Sequence, residues 1–133
     1  MLKANWNPTM KLFTLAEANA LLPEIAPKLE AIRRLYASIQ ESSGAARSAA
    51  SASDFGGGME GGTGYVKALY EVGKLTTDLA ETGVEIKDYT RGLLDFPSMR
   101  DDRVVLLCWQ LGEGDSIDWW HETEDGFAGR QPL

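Results

Sequence analysis

A single histidine, His121, occurs in the 133-residue chain. Imidazole is the one side chain whose ordinary pKa puts its change of charge near neutral pH, so proton transfer or metal ligation is sought there first. In an alternating strand His121 shares a face with Ile117 and Trp119, while Asp118, Trp120 and Glu122 point the other way. Asp88 stands in the same relation to Val84 and Ile86, and Asp95 to Leu93. Three polar residues thus sit near strand ends, each in line with an apolar face. If those ends converge, Asp88, Asp95 and His121 form a carboxylate–imidazole cluster. A carboxylate orients the ring and raises its basicity, which serves general acid–base work or metal ligation. Arg130 completes the candidate ligand-binding set. Arg91, Arg100 and Arg103 are further cations able to hold an anionic substrate or to neutralise the acids. The competing reading is structural: His121 satisfied beside a tryptophan, Asp88 and Asp95 capping turns, and Arg130 tying the tail down.

Cys108 is the one cysteine, so neither a disulfide nor a thiolate cluster can form within the chain. It lies in the longest apolar run, residues 104–109, with nothing cationic beside it in sequence. It reads as a small buried hydrophobe rather than a nucleophile. One histidine without paired cysteines leaves a carboxylate-rich metal site, better suited to Mg²⁺ or Ca²⁺ than to Zn²⁺. Two copies of His121 across a symmetric dimer would suit a transition metal better. The sequence therefore specifies no metal site and leaves any cofactor unknown.

The net charge of −7 argues against nucleic acid or an anionic membrane as partner, because both need clustered Lys and Arg. No Lys or Arg lies between Val104 and Gly129, where Glu113, Asp115, Asp118, Glu122, Glu124 and Asp125 occur. This stretch reads as a solvated acidic surface. It lacks the EF-hand spacing that would make it a calcium loop.

The elements that must position these residues begin with a helix. Thr14 and Glu17 have the capping-box spacing, and Phe13 precedes them as a hydrophobic staple. Leu15, Ala18, Leu22, Ile25, Leu29, Ile32, Tyr36 and Ile39 alternate steps of three and four, a heptad seam. Pro23 and Pro27 predict a kink or short break around 20–27. The helix is expected over about 14–42. Residues 43–62, rich in Ser, Ala and Gly, predict a flexible linker. Its Gly56, Gly57 and Gly58 lack the Gly-Lys-Ser/Thr ending and the preceding strand of a phosphate-binding loop. A second helix is expected over 63–82, with Gly83 as its cap. Two such helices predict an antiparallel hairpin.

The period then changes to two. Strands are expected at 84–89, at 93–96 (stopped by Pro97), at 103–111 and at 117–122. Residues 103–111 are apolar on both faces, so that strand should be central and covered on each side. The tail, 126–133, should lie over the sheet. Short turns predict an antiparallel meander of three to four strands, and the fold class is α+β in a single domain of residues 1–133. The longest apolar run is too short to span a bilayer, and the N-terminus has no apolar region of signal-peptide length. A cytoplasmic protein is the default expectation.

Phe13-Thr14-Leu15-Ala16-Glu17-Ala18-Asn19 resembles the opening of a family of uncharacterised bacterial proteins, domain of unknown function 2203. So do residues 83–88, 92–97, Leu107-Cys108-Trp109 with Gly112-Glu113, Trp120-His121, and Gly126-Phe127 through Pro132. The resemblance covers nearly the whole chain outside 43–62. It implies a helical pair followed by a small β region and carries no activity or catalytic residue.

The unbroken seam with a thin core favours a non-enzymatic module that self-associates through its helices as a homo-oligomer. The alternative is a small-molecule or metal site, possibly catalytic, built from Asp88, Asp95, His121 and Arg130 at one edge of the sheet. Cation binding by residues 113–125 is weaker still.

Overall fold

The computed structural model describes residues 9–52 and 62–133, the side chains of 43–52 and 62–63 excepted. Thr14 opens the first helix as its spacing predicts. Its backbone N–H donates to Glu17 Oε1 at 2.8 Å, and the Glu17 N–H donates to Thr14 Oγ1 at 3.1 Å. Phe13, just outside the cap, is buried and meets Phe96 edge-on at 5.3 Å between ring centres.

Helix α1 spans Leu15–Ala52 without a break. The break expected at the prolines is absent. Pro23 and Pro27 are four residues apart and both exposed, so they stand on the side of the helix away from the core. The helix also runs past its expected end at residue 42. Residues 43–52 are rich in alanine, the best helix former, and belong to α1 rather than to a linker. The remainder of the expected linker, with Gly56, Gly57 and Gly58, falls outside the described residues. Helix α2 spans Gly62–Thr82 and packs along α1. Gly83 closes it at φ +99°, where a side chain would collide with Lys11. Among the described residues no helix is long and apolar enough to cross a membrane.

The sheet is a five-stranded antiparallel meander in the order β1-β2-β3-β4-β5. Its strands are β1 (Glu85–Asp88), β2 (Leu93–Arg100), β3 (Arg103–Gln110), β4 (Trp119–Glu122) and β5 (Gln131–Pro132). Three departures from expectation have identifiable causes. First, β2 runs through Pro97 instead of stopping there. β1 pairs with β2 only as far as Asp95, and the Pro97 carbonyl turns outward to accept from the Phe13 N–H at 2.7 Å. The missing amide of Pro97 therefore points to that unpaired edge, where no ladder bond is lost. Second, β4 starts at Trp119, because Asn19 Oδ1 of α1 accepts from the Ile117 N–H at 2.8 Å and draws that residue to the helix layer. Ile117 thus lies in the helix-side core and not on the face of Trp119 and His121. Third, the tail returns as a fifth strand, with Trp119 opposite Pro132 and Trp120 opposite Gln131.

β3 is central and buried on both faces, as its composition predicts. On one face Val105, Leu107 and Trp109 join Leu94, Phe96 and Trp120. Against them pack Ala18, Leu22, Ile25, Leu29 and Ile32 of α1, with Leu79 of α2. The seam of α1 is consequently filled from within the chain. The feature that suggested self-association through this seam is the ordinary core of one protomer. On the opposite face lie Leu93, Asp95, Leu106, Cys108 and His121, all buried, beneath the segment 123–130.

Candidate functional site

The second face owes its chemistry to strand register. β2 supplies Asp95, β3 supplies Cys108 and β4 supplies His121. Asp95 pairs with Cys108, and Leu106 pairs with His121, so the carboxylate and the imidazole meet diagonally across β3. His121 Nε2 lies 3.2 Å from both carboxylate oxygens of Asp95. A ligating atom from each of Asp95, Cys108 and His121 lies within 4.8 Å of the other two. The three residues are 1%, 0% and 3% exposed.

The imidazole is oriented from behind. His121 Nδ1 is 2.8 Å from the Glu122 carbonyl oxygen, which can only accept, so Nδ1 carries the proton. That bond leaves Nε2 as the atom facing Asp95 and Cys108. Burial raises the Asp95 carboxyl above the ordinary value, opposed by the charge and hydrogen bond of His121. Burial, with the Asp95 charge, pushes the Cys108 thiol up to about 12, opposed by Arg130.

Arg130 reaches this cluster from the tail. Its Nη1 is 3.8 Å from Cys108 Sγ, and its two terminal nitrogens donate to Glu113 at 3.0 and 2.7 Å. The guanidinium also stacks between Phe127, at 4.3 Å, and Trp119, at 4.7 Å. Burial works against its charge, but the bonds to Glu113 and Cys108 more than offset this, and its pKa is raised. Arg91 covers the other side of Phe127 at 4.1 Å. This ladder of cations and rings pins the segment 123–130 over the second face. Beside it a cavity of about 180 Å³ has Asp95 and His121 in its wall, together with Lys87, Thr123, Asp125 and Phe127.

Three of the four residues singled out in the sequence therefore meet: Asp95 and His121 directly, Arg130 through Cys108. Asp88 does not join them. Its Oδ1 accepts from the Thr90 hydroxyl at 2.7 Å, the Thr90 N–H at 2.9 Å and the Arg91 N–H at 3.0 Å. The carboxylate caps the β1–β2 turn, and these bonds, the Thr90 hydroxyl foremost, hold its pKa down. Strict alternation from Ile86, which stands opposite Leu94 on the helix side, would have put Asp88 on the face away from Asp95; a register shift between Ile86 and Asp88 instead sets Asp88 opposite Leu93, at the turn. Arg100 and Arg103 stack on Trp120 instead, and Arg103 grips the Glu122 carboxylate with two nitrogens.

The sequence reads Cys108 as a small buried hydrophobe and Glu113 as part of a solvated acidic surface, neither as a site residue. Cys108 alternates with Leu107 and Trp109 in a strand that is apolar on both faces, so nothing in its neighbourhood marked which face it takes. Only the pairing with Asp95 does so. The metal set considered from the sequence was carboxylate-rich, whereas the structure assembles one nitrogen, one sulfur and one oxygen ligand.

The chain belongs to a family described as uncharacterized conserved protein (DUF2203), which it matches over residues 11–133. No curated protein and no solved structure matches it.

Proposed function

We propose that the protein binds one divalent transition-metal ion, of the zinc class, through His121 Nε2, Cys108 Sγ and the Asp95 carboxylate. The observation that carries this reading is the convergence of three different ligand types, each within 4.8 Å of the others, on side chains at most 3% exposed. Around a tetrahedral Zn²⁺ with bonds of about 2.0–2.3 Å, ligand atoms stand about 3.3–3.8 Å apart, a spacing this cluster reaches with small rotations. A backbone carbonyl on Nδ1 is the usual partner of a ligating histidine. Stability alone gives no reason for the group, since a buried carboxylate–imidazole pair is commonly no better than apolar side chains of equal volume. Arg130 beside the sulfur would offset the charge of a bound thiolate. A reduced thiol ligand suits the cytoplasmic setting expected from the sequence.

The test is titration of metal-free protein with Zn²⁺ and with Co²⁺, a visible reporter. One equivalent should bind, raise the melting temperature, and give a sulfur-to-cobalt charge-transfer band that Cys108→Ser abolishes. Absence of both the band and the thermal shift overturns the reading.

A second reading, self-association, rests on a different surface from the one first considered. Val66, Leu69 and Tyr70 of α2 are 62%, 45% and 69% exposed and share one helix face. Two consecutive helices that pack along each other support an antiparallel hairpin whose outer stripe would meet a second copy. A monomer by sedimentation at tens of micromolar, unchanged by Leu69→Glu, would remove this reading.

A further inference from the structure

We infer that the metal centre keeps an open coordination position, facing the cavity beneath the segment 123–130, that takes a small oxyanion with Lys87 as its counter-charge. This inference rests on the metal reading above.

The ligand count is its starting point. Among the described residues no fourth His, Cys, Asp or Glu joins Asp95, Cys108 and His121 within the same reach. A zinc-class ion held by three protein ligands leaves its fourth position to water or to a substrate atom, whereas structural centres close all four. The direction of that position follows from the wall of the cavity. Asp95 and His121 line it and Cys108 does not, so sulfur lies behind the ion and the vacant side looks into the cavity.

The cavity selects by size and charge. At about 180 Å³ it has room for a small anion with a few waters and none for a nucleotide. With neutral imidazole, thiolate, carboxylate and a divalent ion the centre is formally neutral, so the neighbouring groups decide which ligand is preferred. Lys87 lines the cavity, and its charge acts on the Asp95 carboxylate. Its ammonium donates to Glu85 at 2.7 Å, on an exposed edge strand, and can turn toward an incoming anion at small cost. Asp125, in the same wall, is the one group placed to compete for the open position. A small oxyanion, such as a short carboxylate or inorganic phosphate, satisfies the metal and Lys87 together.

The experiment uses the Co²⁺-loaded full chain, titrated with acetate and with inorganic phosphate while the visible d–d bands are followed. Saturable one-to-one changes by at least one anion are expected, with the sulfur-to-cobalt band retained. In Lys87→Gln the anion should bind about three- to fivefold more weakly, the effect of one half-exposed ion pair, with the cobalt band unaltered. A cobalt spectrum that neither anion moves overturns the inference and leaves the metal reading standing. So does a spectrum that Asp125→Asn changes in the absence of anion, because Asp125 would then fill the fourth position. Equal anion affinity in Lys87→Gln overturns the role of Lys87. Failure to form any cobalt band overturns both readings.

Discussion

His121 Nε2 stands 3.2 Å from each carboxylate oxygen of Asp95, across a strand that belongs to neither residue and 26 positions away in sequence. Few arrangements in a small sheet are harder to justify by packing alone. The pair is fully enclosed, and each partner would be costly to bury without the other. Its presence in the middle of an apolar strand layer is what directs attention to function.

Truncating one partner should therefore cost more than replacing both. Asp95→Ala leaves His121 Nε2 buried without its partner and should destabilise metal-free protein by about 2–4 kcal/mol. The double variant Asp95→Leu, His121→Leu should recover most of that loss and bind no Co²⁺. Urea denaturation of the three proteins checks this. A double variant as unstable as the sum of its parts would show that the pair serves the fold.

Cys108 should behave as an inert thiol until metal arrives. It is fully buried, and its thiol is raised from an ordinary 9.0 to about 12. The sign follows from linkage. The unfolded thiol ionises above pH 9 while the folded one stays protonated, so rising pH favours the unfolded chain. Between pH 9 and about 12, metal-free protein should lose about 1.4 kcal/mol per pH unit relative to Cys108→Ala. Below pH 9 the two curves should run parallel. At pH 8 iodoacetamide should modify the unfolded chain and spare the native one.

Because a coordinating thiol must give up its proton, metal affinity should increase with pH. Calorimetry in buffers of different ionisation enthalpy should find about two protons released per Zn²⁺ bound near neutral pH, one from the Cys108 thiol and one held between Asp95 and His121 in the metal-free protein. Release of none would exclude Cys108 as a ligand.

Arg130 should hold the tail by shape as well as charge. Arg130→Met loses the forked bond to Glu113 and should cost about 1–3 kcal/mol. It should also speed amide exchange across residues 123–133. Arg130→Lys should fare little better, since an ammonium neither forks onto Glu113 nor stacks between Phe127 and Trp119. Wild-type exchange rates in Arg130→Met would dismiss the ladder as the clasp.

The β2–β3 turn offers a control remote from the site. Asp101 and Asp102 adopt φ of 51° and 63°, a left-handed pair suited to a two-residue hairpin. Asp102→Gly removes the side-chain strain of that conformation and should stabilise the protein by about 1 kcal/mol, read as a higher denaturant midpoint. Metal binding should be untouched.

Much of this molecule was legible before any coordinates. The capping box of Thr14 and Glu17, the α1 seam, the cap at Gly83 and the doubly buried β3 all follow from local chemistry and periodicity, which act over a few residues. The departures came where a distant element intervened. Pro97 is tolerated in β2 because its outward edge meets Phe13 rather than a neighbouring strand. Ile117 leaves the face of His121 because Asn19, on α1, claims its amide.

The same division governs the site. Residue type alone marked His121, Asp95 and Arg130, since a lone imidazole, an acid in an apolar run and a tail arginine are unusual wherever they fall. Alternation could not say that Asp88 would be lost to its own turn, because one shifted residue in β1 changes the face of everything after it. Nor could it find Cys108, whose role depends on which residue of β2 stands opposite. The sequence by itself determined the elements and the chemically capable residues, because both are set by local preference. Strand register decided which of those residues touch, because it is settled only when the helices cover one face of the sheet and the tail covers the other.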